Sequence, residues 1–444
     1  MRFHVRLGNA MVACLFSTTT GFASDAPAHP TDEFALAQVI VNPEPFDNDR
    51  FGGPISLSGN RFAVGAYFND TNDLTDSGAV YIYGHQGNQW VLEAQPVPTD
   101  PAVDDWFAIA SLQGDRLAVG APMKNQRIGA AYVFERNPAN GLWVQQAKLL
   151  PETPTTGCGV LGCHLFGNSV SMDGDTVAVS AHVENEEAGA VYVFVRNAQG
   201  TWTQQARLAG GGVLADSHFG NQVALEGNTL LVGAYHQNVS SAQRGAAYVF
   251  VRDQGAWTQQ AQLLASDGDA DDLFGSDVAL SGNTAVVGAR GADLDEASKR
   301  GAAYVFVRTG AQWTLQARLD ASDGVGSAPG DPFGDQFGYS VAVRGDDVWI
   351  GKFPGVGSFA APDRIGAAYH YRRTAGIWSE VEHFTPEAGS PGDGFANALA
   401  FDDRTLLVGS IHEGTAPGEV PSRGAVYAYA KSPDDRIFAD DFEP

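Results

Sequence analysis

A chain of 444 residues would ordinarily divide into two or three domains, and 44% hydrophobic residues supply ample material for a core. Its 53 glycines against 4 methionines favour many turns between short strands over long helices. A formal net charge of −25 repels nucleic acid and anionic lipid, so cations or basic partners suit the chain better.

The N-terminus reads as an export segment over residues 1–24. Arg2 and Arg6 open it, "LGNAMVACLFSTTTGFA" is moderately apolar, and small residues near Ala23 offer a cleavage point. "DAPAHPTDE" follows at once and cannot extend a helix. Cys14 is an alternative lipid-attachment point, although the apolar run before it is short. No later run approaches the ~20 apolar residues of a membrane span.

From there the chain repeats itself seven times. Each unit begins at an anchor Phe followed by Gly or Ala: Phe51, Phe107, Phe166, Phe219, Phe274, Phe337 and Phe395. Fourteen residues on, or thirteen in the second unit, comes a small-residue step at Gly65, Gly120, Ser180, Gly233, Gly288, Gly351 or Gly409. A "GA[AV]Y" tetrapeptide starts at Gly78, Gly129, Gly189, Gly245, Gly301, Gly366 and Gly424, and in six units a Trp comes next. "SDVAL" alternates into a two-residue turn, "TAVVGA" returns, "AAYVFVR" runs out and "WTLQARL" closes the unit. Four short antiparallel strands at this spacing predict one blade of an all-β propeller, and seven of them one ring.

The two ends complete each other. The seventh unit stops after "GAVYAYAK", before its Trp strand. Four Trp residues precede the next anchor by 17, and the same count back from Phe51 reaches Phe34 in "EFALAQVIV". The N-terminal segment is therefore expected to be the outer strand of the last blade, giving one domain over 33–431 and an acidic tail over 432–444.

The Phe-Gly anchor followed by Gly-Ala, once as Gly120-Ala121-Pro122, resembles the FG-GAP repeat of integrin α-subunit propellers and their bacterial relatives. That resemblance implies the propeller fold and covers roughly residues 33–431; it does not assign an activity. Integrin-type repeats often carry a D-x-D-x-D-G calcium loop in the first hairpin. Here that hairpin is as short as "SGNR" or "DGDT", so those calcium sites do not transfer.

Candidate sites are few. Loops after the second strand and loops between blades share one face, and those loops vary most in length, as binding loops do. Asp49, Asp105, Asp272, Asp335 and Asp393, each two residues before an anchor, make that face acidic or else cap its turns. Asp267, Asp269 and Asp271 of "DGDADD" have the alternate spacing that presents oxygens to Ca²⁺, without a clear twelfth-position Glu. Cys158 and Cys163 suit a small disulfide loop, stabilising by about 2 kcal/mol. On the opposite face stand His85, Arg136, Arg196, Arg252, Arg308, Arg373 and Lys431, as partners for acids and Trp rings or as a ring for an anionic partner. His182, His236 and His412 follow second strands, in units that do not point to one shared metal site. The "RGD" at 344–346 falls on a hairpin turn common to other units, and no nucleophile elbow, zinc-protease motif or phosphate loop is present.

The expected function is that of a secreted, periplasmic or cell-surface binding and adhesion protein, monomeric and without catalysis. It would recognise a protein or glycan through the variable loop face. The alternatives are a polysaccharide hydrolase or lyase with carboxylates such as Asp272 and Asp335 converging near the axis, and a structural unit of a cell envelope.

Overall fold

The computed structural model describes residues 33–44, 48–152, 164–239, 242–293, 299–324, 334–353, 365–386, 392–412 and 423–431. The expected export segment at residues 1–24, Cys158, Cys163 and the acidic tail lie outside them. Seven four-stranded antiparallel sheets stand in a ring, and in six of them the chain runs from inner to outer strand.

Blade 1 comprises Phe51–Ser58, Arg61–Ala66, Ala79–Gln86 and Gln89–Ala94. Blade 2 comprises Ile109–Gln113, Arg116–Ala121, Ala130–Arg136 and Trp143–Leu149; blade 3, Val170–Asp173, Thr176–Ala181, Ala190–Arg196 and Trp202–Leu208. Blade 4 comprises Val223–Glu226, Thr229–Ala234, Ala246–Asp253 and Ala256–Leu263, with a small extra ribbon, Asn238–Val239 on Ala242–Gln243. Blade 5 comprises Phe274–Ser281, Thr284–Ala289, Ala302–Thr309 and Gln312–Leu319; blade 6, Phe337–Arg344, Asp347–Lys352, Ala367–Thr374 and Ile377–Phe384. Blade 7 comprises Phe395–Phe401, Thr405–Ser410 and Ala425–Lys431, and its outer strand is Phe34–Val41.

That last pairing runs from Phe34 opposite Lys431 to Val41 opposite Ala425. Gln38 then clasps blade 1: its side-chain amide donates to the Trp90 carbonyl (3.1 Å) and its carbonyl accepts the Trp90 N–H (2.8 Å). The strand thus supplies the missing edge and removes the radial gap.

The repeated motif has a packing cause. In each blade the anchor Phe meets the "GA[AV]Y" Tyr edge-on, from 5.8 Å for Phe51–Tyr81 to 5.2 Å for Phe395–Tyr427. Each such pair is part of an apolar layer shared with the preceding blade; Phe166 and Tyr192 pack on Ala131, Val133 and Leu149, for example. Backbones then come so close that a Cβ on Gly120 would stand 1.9 Å from the Gly167 carbonyl oxygen. On Gly129 (φ +88°) it would stand 2.0 Å from the Phe166 oxygen. Phe-Gly of one blade and the two glycines of the blade before it are therefore the two halves of one contact. Gly424 and Phe51 repeat it at closure.

Inner strands converge without a full backbone ladder between them, and side chains take the free amides. Ser56, Ser111 and Ser171 accept the N–H groups of Leu112, Met172 and Leu225 in the following blade.

Candidate functional site

The residues just past each anchor Phe line a cavity of about 520 Å³ on the axis, to which all seven blades contribute. Arg50 and Trp106 enter it from the linkers before blades 1 and 2; Tyr67, Phe68 and Arg290 enter from the ends of second strands. It therefore opens among the loops of variable length. Trp106 and Phe68 meet edge-on at 5.0 Å, the Arg50 guanidinium lies 4.8 Å from the Phe68 ring, and that of Arg290 lies 5.4 Å from Tyr339. These aromatic rings are half-buried.

Asp277 is the one carboxylate among the described residues of the lining. Its oxygens accept the N–H groups of Val278 (2.9 Å) and Val341 (2.7 Å). Burial pushes its pKa up to about 7, against the pull of those two amides. Ser169 does the same work in blade 3, accepting the N–H of Val223. Asp277 is thus a link between blades that also titrates.

The aspartates two residues before the anchors are not a surface feature. Asp49, Asp105, Asp272, Asp335 and Asp393 are all buried, at 0–4% exposure, so they lend the loop face no acidic surface. Asp105 and Asp272 accept the N–H three residues earlier, from Ala102 and Asp269, at 2.7 Å each. Ser217 caps its own loop in the same way. Asp105 also pairs with buried Lys124 at 2.7 Å. Neither Asp272 nor Asp335 is among the described residues that line the axial cavity, so these two do not supply the carboxylate pair that glycoside cleavage would need there.

The three aspartates of "DGDADD" take separate paths. Asp267 accepts the Tyr304 hydroxyl (3.0 Å) and pairs with Arg318 (2.5 Å). The backbone N–H of Asp269 donates to Asp272, and that of Asp271 donates to the Gln243 carbonyl. Clusters of possible metal ligands occur elsewhere among the described residues.

The basic ring on the opposite face is occupied by neighbours. Arg252, Arg308 and Arg373 lie 5.0–5.2 Å from Trp257, Trp313 and Trp378 and donate to Thr176, Thr229 and Thr284 of the preceding blade. Arg136 and Arg196 pair with Glu93 and Glu135, and the His85 ring meets Trp90. In the "RGD" segment, Arg344 pairs with Asp403 and Asp346 with Arg373.

His182 and His236 prove to be in adjacent blades, with His218 between them. His412 belongs to blade 7. The sequence reading passed over His218, although a local signal was available. An anchor Phe faces the residue after the small-residue step, as Phe274 faces Ala289, so the residue before an anchor must lie beside those following that step. His218 and Tyr235-His236 satisfy that rule.

Five segments, 37–83, 143–194, 202–250, 257–306 and 378–429, match the model of the FG-GAP repeat. The chain belongs to the FG-GAP repeat family. Each FG-GAP segment begins on the outer strand of one blade and ends on the third strand of the next. The first begins at residue 37, inside the strand that completes blade 7, so the match follows the closure of the ring. No curated protein matches the chain. No helix among the described residues is long and apolar enough to cross a membrane.

Proposed function

We propose that this FG-GAP propeller is a binding protein of the cell exterior that captures a protein or glycan at the loop-face mouth of its axial cavity. The observation that carries the reading is the half-buried rim of Tyr67, Phe68, Trp106 and Tyr339, with Arg50 and Arg290 set against it. Aromatic rings and arginines are the side chains that concentrate binding energy in interfaces. FG-GAP repeats are commonly found in binding and adhesion proteins, typically outside the cell, and are generally non-enzymatic, which agrees with this rim.

A glycan array and a surface pull-down with the intact chain test the proposal. Trp106→Ala combined with Arg290→Ala should lower retention of the captured partner by about tenfold or more, while the unfolding midpoint stays close to that of the parent. Unchanged capture by this variant removes the rim from the binding site.

A further inference from the structure

We infer that a first-row divalent cation of the Zn²⁺ class binds between blades 3 and 4, held by His218 Nε2, His236 Nδ1 and Asp216 Oδ1. Asp216 and His218 sit on the linker into blade 4, and His236 follows its second strand. The three ligand atoms all lie within 4.8 Å of one another. Asp216 Oδ1 is 3.5 Å from His218 Nε2 and 3.6 Å from His236 Nδ1. Ligands about 2.0–2.1 Å from a tetrahedral metal stand about 3.3–3.4 Å apart, so these edges need only a slight contraction. Glu187 Oε2, 3.4 Å from His218 Nε2, stands beside the triad as a further oxygen.

Two observations show that the protein alone leaves this cluster unfinished. His218 is only 6% exposed and stacks on Tyr235 at 5.1 Å, yet its Nδ1 has no hydrogen-bond partner. If the proton is on Nδ1, the Nε2 lone pair faces two carboxylates. If it is on Nε2, the distances of 3.4 and 3.5 Å are too long for good hydrogen bonds and Nδ1 stays buried and bare. His236 Nδ1 is likewise buried without a hydrogen bond. A cation at the centre of the triad takes the lone pairs of His218 Nε2 and His236 Nδ1 at once, with the His218 proton on Nδ1.

The carboxylate, by contrast, is already aimed. Asp216 Oδ2 accepts the Gln243 side-chain amide at 2.7 Å, leaving Oδ1 toward the histidines. Gln243 belongs to the two-stranded ribbon found in blade 4. Such outer hydrogen bonds orient metal ligands. Two imidazoles and a carboxylate select the zinc class over calcium, which takes oxygen ligands.

The test is calorimetric titration of the untagged, EDTA-treated full chain with ZnCl₂, repeated with CoCl₂ while visible absorption is recorded. The expected result is one Zn²⁺ per chain, an intense Co²⁺ spectrum of low coordination number, and no competition from Ca²⁺. His236→Ala and Asp216→Asn should each weaken binding beyond the ~10–100-fold loss typical of an outer-sphere partner, and Gln243→Ala should fall within that range. Circular dichroism checks that each variant is folded; His236 and Asp216 are both partly exposed, which favours that outcome. Absence of Zn²⁺ binding, or equal affinity in the His236 and Asp216 variants, overturns the assignment. Binding lost in His370→Gln instead overturns it too, by placing the ion at the other histidine cluster.

Discussion

His370 and His218 are both buried imidazoles facing two carboxylates, and the fold treats them in opposite ways. His370 donates or accepts at both nitrogens, with Asp347 at 2.7 Å and Glu382 at 3.3 Å. Burial alone would lower its pKa; those two carboxylates outweigh it and hold the value above the usual histidine range. Arg372 joins the same network, pairing with Asp347 (2.7 Å) and Glu33 (2.5 Å), and the Glu33 N–H donates to Glu382. The carboxylates beside His218 stand farther off, at 3.4 and 3.5 Å, and burial, then the neighbouring His236, lower its pKa against the opposing pull of Asp216. One cluster is a closed lock between blade 6 and the N-terminal strand. The other has the shape of a site that awaits an ion. The same residue types therefore carry no function until their distances are known.

Removing His370 should give the largest effect. His370→Gln leaves Asp347 and Glu382 facing each other in a largely buried site, and should cost about 3 kcal/mol in urea unfolding. His218→Gln in metal-free buffer should cost clearly less, because the contacts it gives up, at 3.4 and 3.5 Å, are longer and weaker than the 2.7 Å His370–Asp347 bond. Equal losses would remove the distinction between lock and open site.

The acid–base response sharpens it further. The native pKa of His370 lies above its unfolded value of about 6.5, so its stabilisation is full below about pH 6.5 and is lost as the pH rises through the native value. His370→Gln should flatten that part of the stability profile, while His218→Gln should not.

Asp277 supplies a second, separable component. Its native pKa of about 7 exceeds the unfolded value of about 3.9, so its contribution declines as the pH rises between roughly 4 and 7. Asp277→Ser copies Ser169 of blade 3, keeps a neutral acceptor for Val341, and should remove the decline in that window. A profile unchanged by Asp277→Ser would mean that the carboxylate titrates near its ordinary value.

The smallest shift is expected from calcium. With Asp267 held by Arg318 and Tyr304, millimolar Ca²⁺ added after EDTA should leave the unfolding midpoint where it was. A clear rise would restore Asp267, Asp269 and Asp271 as a calcium loop.

The blades were legible because their signals are local. Alternating strands, two-residue turns and the spacing from Phe51 to Gly65 lie within one unit, and the arithmetic that took Phe34 to blade 7 used only those spacings. The anchor aspartates were not legible in the same way. Sequence spacing offered a turn cap or an acidic surface, and burial against Asn42 and Asn69 for Asp49, or against Lys124 for Asp105, decided for the interior. The basic ring was equally open until its partners in the preceding blade were visible, as with Arg308 and Thr229.

The amino-acid sequence by itself determined how many blades form, where each begins and how the ring closes. Strand pairing and the Phe–Gly–Gly contact depend on residue size and on short, repeated separations. Only the tertiary structure decided which charged groups face water, which histidines meet and which carboxylates stand farther off. Those outcomes arise between blades, where side chains as far apart as Glu33 and Arg372 meet, and a few tenths of an ångström separate a made hydrogen bond from an open coordination site.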